Sequence, residues 1–352
     1  MNNRCAACLI VSLVCAVSNV SGASFRFSTV DFPGATDSYV LGINNRGELV
    51  GGYQQNDAPI PVEGGFVLSG NQFTTFEVSG ARGTVLFDIN DAGQMLARFS
   101  DTSWNPHSLL IENGRAELVQ VPGAYSASLA TALNNSGLVV GYYDRLTGHH
   151  CPSGYSNPAV SRSGFLMQAG TFTNIDVPFD GAFCTSPADV NDNAAIVGSY
   201  ETAGLRQIGF LLDSGVFTRI EIPNSLATLP VAINSTGDIA GQYFGVGFTG
   251  NFVIRSGELV AVDVPGYNNG ILDMNDAGVI VGFFRSHDDN RYHGFVGTPV
   301  PEPASWVLVP GSLLLLCCTR ISSRCASLRE CVATGLVRIR TAGRRRIRRS
   351  QA

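Results

Sequence analysis

One phrase of ten residues recurs six times in this chain: Asn, two turn residues, Gly, any residue, two aliphatics, Gly, any residue, an aromatic. The copies begin at Asn44, Asn90, Asn134, Asn191, Asn234 and Asn275, and a strand-like run ending in an acid, an apolar residue and Pro usually precedes each. Self-similarity at intervals of 46, 44, 57, 43 and 41 residues constrains the fold severely, because each unit must bury its apolar face against the next.

The stretch from Gly209 to Tyr243 shows what one interval contains. Gly209-Phe210-Leu211-Leu212 is strand-like, Asp213-Ser214-Gly215 turns, and Phe217 to Ile222 alternates until Pro223 ends pairing. A third extended run reaches Ile233-Asn234, Ser235-Thr236-Gly237 turns again, and Asp238 to Tyr243 forms a fourth. Four strands per unit, six units, 40 Gly, 16 Pro and only 14% charged residues predict an all-β chain. The architecture expected for residues 24–298 is a β-propeller of six four-stranded blades. A solenoid uses shorter repeats, and a sandwich gives no reason for six near-equal units. The copies read as complete and no strand is visibly donated from the other end, so the mode of ring closure stays open.

Turn chemistry accounts for the recurring Asn and the Gly three residues on: Asn bonds backbone two residues ahead, and Gly takes positive φ without steric cost. The fourth copy, Asn191-Asp192-Asn193-Ala194, lacks that Gly, and Asn193 is expected to take the left-handed position instead. The second Gly, at 51, 141, 198, 241 and 282 with Ala97 the exception, suits a bulge or a close approach. The aromatics Tyr53, Phe99, Tyr143, Tyr200, Tyr243 and Phe284 close the strands, where core packing is favoured over ligand contact.

The net charge of −5 conceals a segregation, since ten of the 23 basic residues, all Arg, lie from Arg320 onward. From Ser24 to Pro299, 12 Arg stand against 26 Asp and Glu, which leaves that body at −14 and excludes a phosphate-backbone partner. Residues 1–23 read as a signal peptide: a charged start at Arg4, an apolar run from Cys5 to Val20, and small residues at Ser21-Gly22-Ala23. Outside the two ends only Cys151 and Cys184 remain, a pair that in an exported domain reads as one disulfide. Cys151 sits in an insertion from about Asp144 to Ser163. A metal site from His149, His150 and one Cys lacks the paired spacing of structural zinc sites.

Val300-Pro301-Glu302-Pro303-Ala304-Ser305-Trp306, an apolar run from Val307 to Cys318, and Arg320 and Arg324 follow one another near the C-terminus. Together, over residues 299–324, they resemble the PEP-CTERM sorting signal, with Pro301, Glu302 and Pro303 matching its motif. The resemblance implies an exosortase-type processing enzyme as partner, transient anchoring in the inner membrane of a Gram-negative bacterium, delivery to the surface or beyond, and association with exopolysaccharide. The apolar run is shorter than the ~20 residues of a full span, which suits temporary retention. Residues 325–352 form an Arg-rich tail that is expected to be disordered or removed. Gly209-Phe210-Leu211-Leu212 and the segment from Gly42 to Gly51 resemble the HAF-type extracellular repeat, which implies an architecture and a location but no catalytic residues.

Chemistry is harder to find. Lys is absent, and neither His-Glu-x-x-His nor Gly-x-Ser-x-Gly occurs. His107 and His293, near the starts of equivalent strands, suit structural roles. Asp31, Glu77, Asp176, Glu221 and Asp263 share one register, filled by Gln120 in the remaining copy. Around a common axis they would gather oxygen ligands for Ca²⁺, and no other cofactor is implied; the competing and favoured reading is a solvated outer strand. Asp88, Asp189 and Asp273, just before the repeat Asn, are the acids a propeller-based polysaccharide lyase or hydrolase would draw on, but they read as turn residues. The leading expectation is therefore a non-enzymatic, exported structural or binding protein, with a polysaccharide as its possible ligand.

Overall fold

A computed structural model describes residues 25–55, 64–146 and 160–300, together with the backbone of Val11–Leu13. The chain divides into two units, Met1–Val300 and Pro301–Ala352, and all described residues fall in the first. Pro301 to Pro303, expected to form a sorting motif, the apolar run after it, the Arg-rich tail, Cys151 and the two His beside it lie outside the described residues.

Every described element is a strand, and 24 of them build six antiparallel sheets of four, so the chain is a six-bladed propeller. From the axis outward, blade 1 consists of Asp37–Ile43, Leu49–Gln54, Gly64–Ser69 and Gln72–Phe76. Blade 2 is Gly83–Ile89, Met95–Ser100, Pro106–Glu112 and Arg115–Val119. Blade 3 is Ser128–Leu133, Val139–Leu146, Val160–Gln168 and Thr171–Ile175, so its middle strands reach into the ends of the insertion. Blades 4 and 5 run Ala182–Val190 to Val216–Ile220 and Ala227–Ile233 to Glu258–Val262, and one parallel bridge, Gln207 to Ala227, links them. Val11–Leu13 runs parallel to the outer strand of blade 4.

Blade 6 settles how the ring closes. Its first three strands are Tyr267–Met274, Ile280–Arg285 and Tyr292–Pro299, and its outer strand is Phe25–Val30 from the other end of the chain. Phe25 pairs with Pro299 and Val30 with Gly294, while the Phe27 ring meets Phe295 edge-on at 5.4 Å. The last sequence copy is thus incomplete, and the run before Asp31 belongs to it.

The core is divided into six wedges, one at each junction between neighbouring blades. A Phe on the third strand anchors five of the blades: Phe66, Phe165, Phe210, Phe252 and Phe295 are fully buried. Each contributes about 2–3 kcal/mol of apolar transfer. Of the strand-end aromatics, Tyr53, Tyr143 and Tyr200 are buried among these wedges, Tyr243 and Phe284 pack against them half-buried, and Phe99 stacks on His107. The residue before the anchoring Phe faces the next blade's inner strand. At Gly209 a Cβ would stand 2.7 Å from Pro230, whereas Ser108 in blade 2 accepts instead from the Ala130 N–H of blade 3. Hydroxyls also staple most of the connections between blades: Phe32, Val78, Val121, Val177 and Ile222 donate their N–H to Ser38, Thr84, Ser128, Thr185 and Thr228.

In every blade the inner and second strands pair through a β-bulge, for example between Val40 and Gly42 and between Pro187 and Asp189. The repeat's second Gly belongs to this device. A Cβ at Gly51, Gly141, Gly198, Gly241 or Gly282 would fall 1.9–2.4 Å from an inner-strand carbonyl oxygen. The turn after the Asn needs positive φ, which Gly47, Gly93, Gly137, Gly237 and Gly278 supply. In blade 4 the left-handed residue is Ala194 itself, at φ 60°, and not Asn193. The turn keeps its register, and Asn193 is left to donate its amide to the Ser235 carbonyl of blade 5.

Two outcomes follow. Ala194→Gly relieves a left-handed alanine and raises stability by about 1 kcal/mol, measured by chemical denaturation. A chain lacking residues 25–30 loses the seal of blade 6, and limited proteolysis then cuts within Tyr292–Pro299 before any other blade.

Candidate functional site at the propeller axis

The inner strands end at the axis, and the bulge decides what each presents there. The residue after the bulge is Gly42, Asp88, Ala132, Asp189, Ala232 and Asp273 in blades 1 to 6, so acids alternate with small residues. Space enforces part of this alternation: a Cβ on Gly42 would lie 2.9 Å from the Asp88 Cα of the next blade.

Each Asp spans a junction. Asp88 accepts from the N–H of Ile89 with Oδ1 and from Leu133 of blade 3 with Oδ2, both at 2.7 Å. Asp189 accepts likewise from Val190 at 2.7 Å and from Ile233 of blade 5 at 2.6 Å. Asp273 accepts from Met274 at 2.6 Å and from Ile43 of blade 1 at 2.7 Å. Three carboxyl groups therefore tie blade 2 to 3, 4 to 5 and 6 to 1. These side chains are half-buried and line the axial pocket. Burial, and next the negative neighbour across the axis, push Asp88 up to about 7 and Asp189 and Asp273 to about 8; the backbone N–H bonds pull the other way without prevailing.

Below the acids the six repeat Asn residues close a second ring. Each Nδ2 donates to the backbone carbonyl of the next Asn: Asn44 to Asn90 at 3.2 Å, Asn90 to Asn134 at 3.0 Å, Asn134 to Asn191 and Asn191 to Asn234 at 2.9 Å. Asn234 to Asn275 at 3.3 Å and Asn275 to Asn44 at 3.2 Å complete the circuit. The Oδ1 of the same residues holds the turn, as where Asn134 accepts from Ser136 and Leu138 at 3.0 Å. Turn geometry alone is thus half of the explanation for this residue.

At the mouth stands a third ring, formed by the next residue of each copy: Asn45, Asp91, Asn135, Asp192, Ser235 and Asp276. Asn45 bridges Asp91 and Asp276 through its Nδ2 at 3.0 and 2.9 Å, and Asn135 bridges Asp91 and Asp192 at 2.8 Å. Carboxylates alternate with two amides and Ser235, whose N–H donates to Asp276 at 2.7 Å, so each carboxylate faces a donor and not another anion.

The five acids of the shared register lie elsewhere. Asp31, Glu77, Asp176, Glu221 and Asp263 each follow an outermost strand, on the circumference of the propeller, and the Ca²⁺ ring is not formed. Alternation fixes which face a side chain takes but not whether its strand is inner or outer. Asp31 instead pairs with His293, Asp176 with Arg145 and Glu221 with Arg206. Among the described residues no group of three or more His, Cys, Asp or Glu is placed to hold a metal ion. His293 is stacked on Phe284 and bonded to Asp31 and Asp289, and His107 is stacked on Phe99 beside Asp101. Cys184 is disulfide-bonded.

No protein-family model and no curated protein matches the chain. Solved structures similar to it include the fucose-specific lectin from Aleuria aurantia, at 12% identity and TM-score 0.45, covering 79% of this chain and 100% of the lectin. TolB from Acinetobacter baumannii gives 12% identity and TM-score 0.45 over 74% of this chain and 63% of TolB. The β-propeller domain of the Trilobed protease from Pyrococcus furiosus gives 9% and 0.43 over 78% and 99%. The chemistry of these proteins does not carry over at such distances.

Replacing Asn234 by Ala removes its donor to blade 6 and the acceptor for Thr236 and Asp238, and costs about 2–4 kcal/mol. Because the ring is a closed circuit, Asn275→Ala added to Asn234→Ala costs less than it does alone, a coupling that a double-mutant cycle in denaturant measures.

Proposed function

We propose that this chain is an exported, non-enzymatic structural or binding protein of the cell surface or matrix, sorted through its C-terminal signal and associated with exopolysaccharide. The observation that carries the non-enzymatic part is the use made of Asp88, Asp189 and Asp273. Both oxygens of each carboxyl are engaged by backbone N–H groups, so the acids that a hydrolase or lyase would need are bound into the frame. The leader, the HAF-type repeats and the Pro301-Glu302-Pro303 signal support the address. The negative body, 12 Arg against 26 acids, favours a neutral or cation-bridged polysaccharide over a strongly anionic one.

Co-sedimentation of the full chain with exopolysaccharide from its own cells tests this reading. Binding without release of reducing ends is expected. Reducing ends that accumulate with wild type and vanish with Asp189→Asn would replace it by the hydrolase or lyase reading.

A further inference from the structure

Three acids converge on the axis, and nothing of opposite charge among the lining residues meets them. The lining comprises Asp88, Asp189 and Asp273 inside, Asp91, Asp192 and Asp276 at the mouth, and no Arg or His. The guanidiniums close to the turns are engaged elsewhere: Arg46 with Glu48, and Arg255 with Asp238 at 2.8 Å. Arg98, from the second strand of blade 2, donates to the Ala130 carbonyl of blade 3 and stands outside the lining. Like charges in a narrow, protein-walled channel repel across a low effective dielectric, and each also loses hydration. Repulsion and lost hydration favour the carboxyl that keeps its proton, against the opposing pull of its two backbone N–H bonds.

We propose that the axis is a pH-sensitive lock: the assembled ring holds Asp88, Asp189 and Asp273 as neutral acids, and their ionisation loosens the three junctions these side chains bridge. The alternation of acid and small residue gives the device its form. Every second junction carries a carboxyl bridge, so ionisation strains blades 2–3, 4–5 and 6–1 together and spares the junctions between them.

The direction follows from linkage. In the unfolded chain these groups ionise near the ordinary 3.8, and in the ring near 7 to 8. Folding therefore takes up protons between those values. The stabilisation is complete below the unfolded value, declines as pH rises, and is gone once pH has passed through the folded range. Each proton held only by the folded chain weakens folding about tenfold per pH unit in that window.

Denaturant unfolding of the full chain from pH 5 to 9, beside Asp189→Asn, tests the lock. The folding constant of wild type is expected to fall at least about tenfold per pH unit more steeply than that of the variant between pH 5 and 7. Parallel slopes would overturn the proposal. Infrared spectroscopy of the folded wild-type chain gives a reading that requires no variant. A protonated-carboxyl stretch present at pH 6 and absent at pH 9 is expected, and its absence at pH 6 would equally overturn the proposal.

Discussion

The amide of one recurring asparagine holds this molecule together in two directions. Its oxygen gathers N–H groups within a turn, and its nitrogen reaches the carbonyl of the neighbouring Asn, six times, until the circuit returns to Asn44. A typical hydrogen bond contributes only about 0.5–1.5 kcal/mol net, but these are buried, and breaking one strands a polar group on each side. The circuit also counts: six copies meet head to tail, whereas five or seven would present the amide at a different angle to its acceptor. The wedges of Phe, Leu, Ile and Val supply cohesion between blades, while the Asn ring ties each blade to the next at the axis.

The alternation at the axis shows a compromise between the same two demands. Backbone N–H groups at the bulged strand ends need acceptors, and a carboxyl group offers two oxygens, one for its own blade and one for the next. Six carboxylates would repel one another and would not fit beside their neighbours, as the close approach of Gly42 to Asp88 shows. Three, each serving its own blade and the next, satisfy both sets of donors. The outer ring solves the same problem by interleaving Asn45 and Asn135 between Asp91, Asp192 and Asp276.

Much of this was legible in the sequence, because local rules govern it. Strand number, turn positions, the bulge-associated Gly and the inward aromatics all follow from periodicity and turn chemistry. What escaped depends on neighbours in space. The donor half of the Asn had no visible acceptor, since that acceptor lies 41 to 57 residues away, or 231 at the seam. The axial acids read as turn residues in the sequence, but Asp88, Asp189 and Asp273 lie within the inner strands; the unread signal is that Asp stands two residues before Asn only in every second copy, with Gly42, Ala132 and Ala232 between. The closing strand left one too, for Val30-Asp31-Phe32-Pro33 matches Ile220-Glu221-Ile222-Pro223 but has no hairpin partner before it.

That seam joins Ser28 to Val296, 268 residues apart. Synthesis makes the sealing strand before the five other blades and its partner after them, so those five can assemble while the sixth waits with an open edge. Closure is then a late event of very high contact order, and folding is expected to end with it. The seam also places Phe25 opposite Pro299, so the two ends of the propeller meet at one corner of blade 6. A cut within a few residues of either Phe25 or Pro299 would fall beside the strand pair that keeps the ring shut.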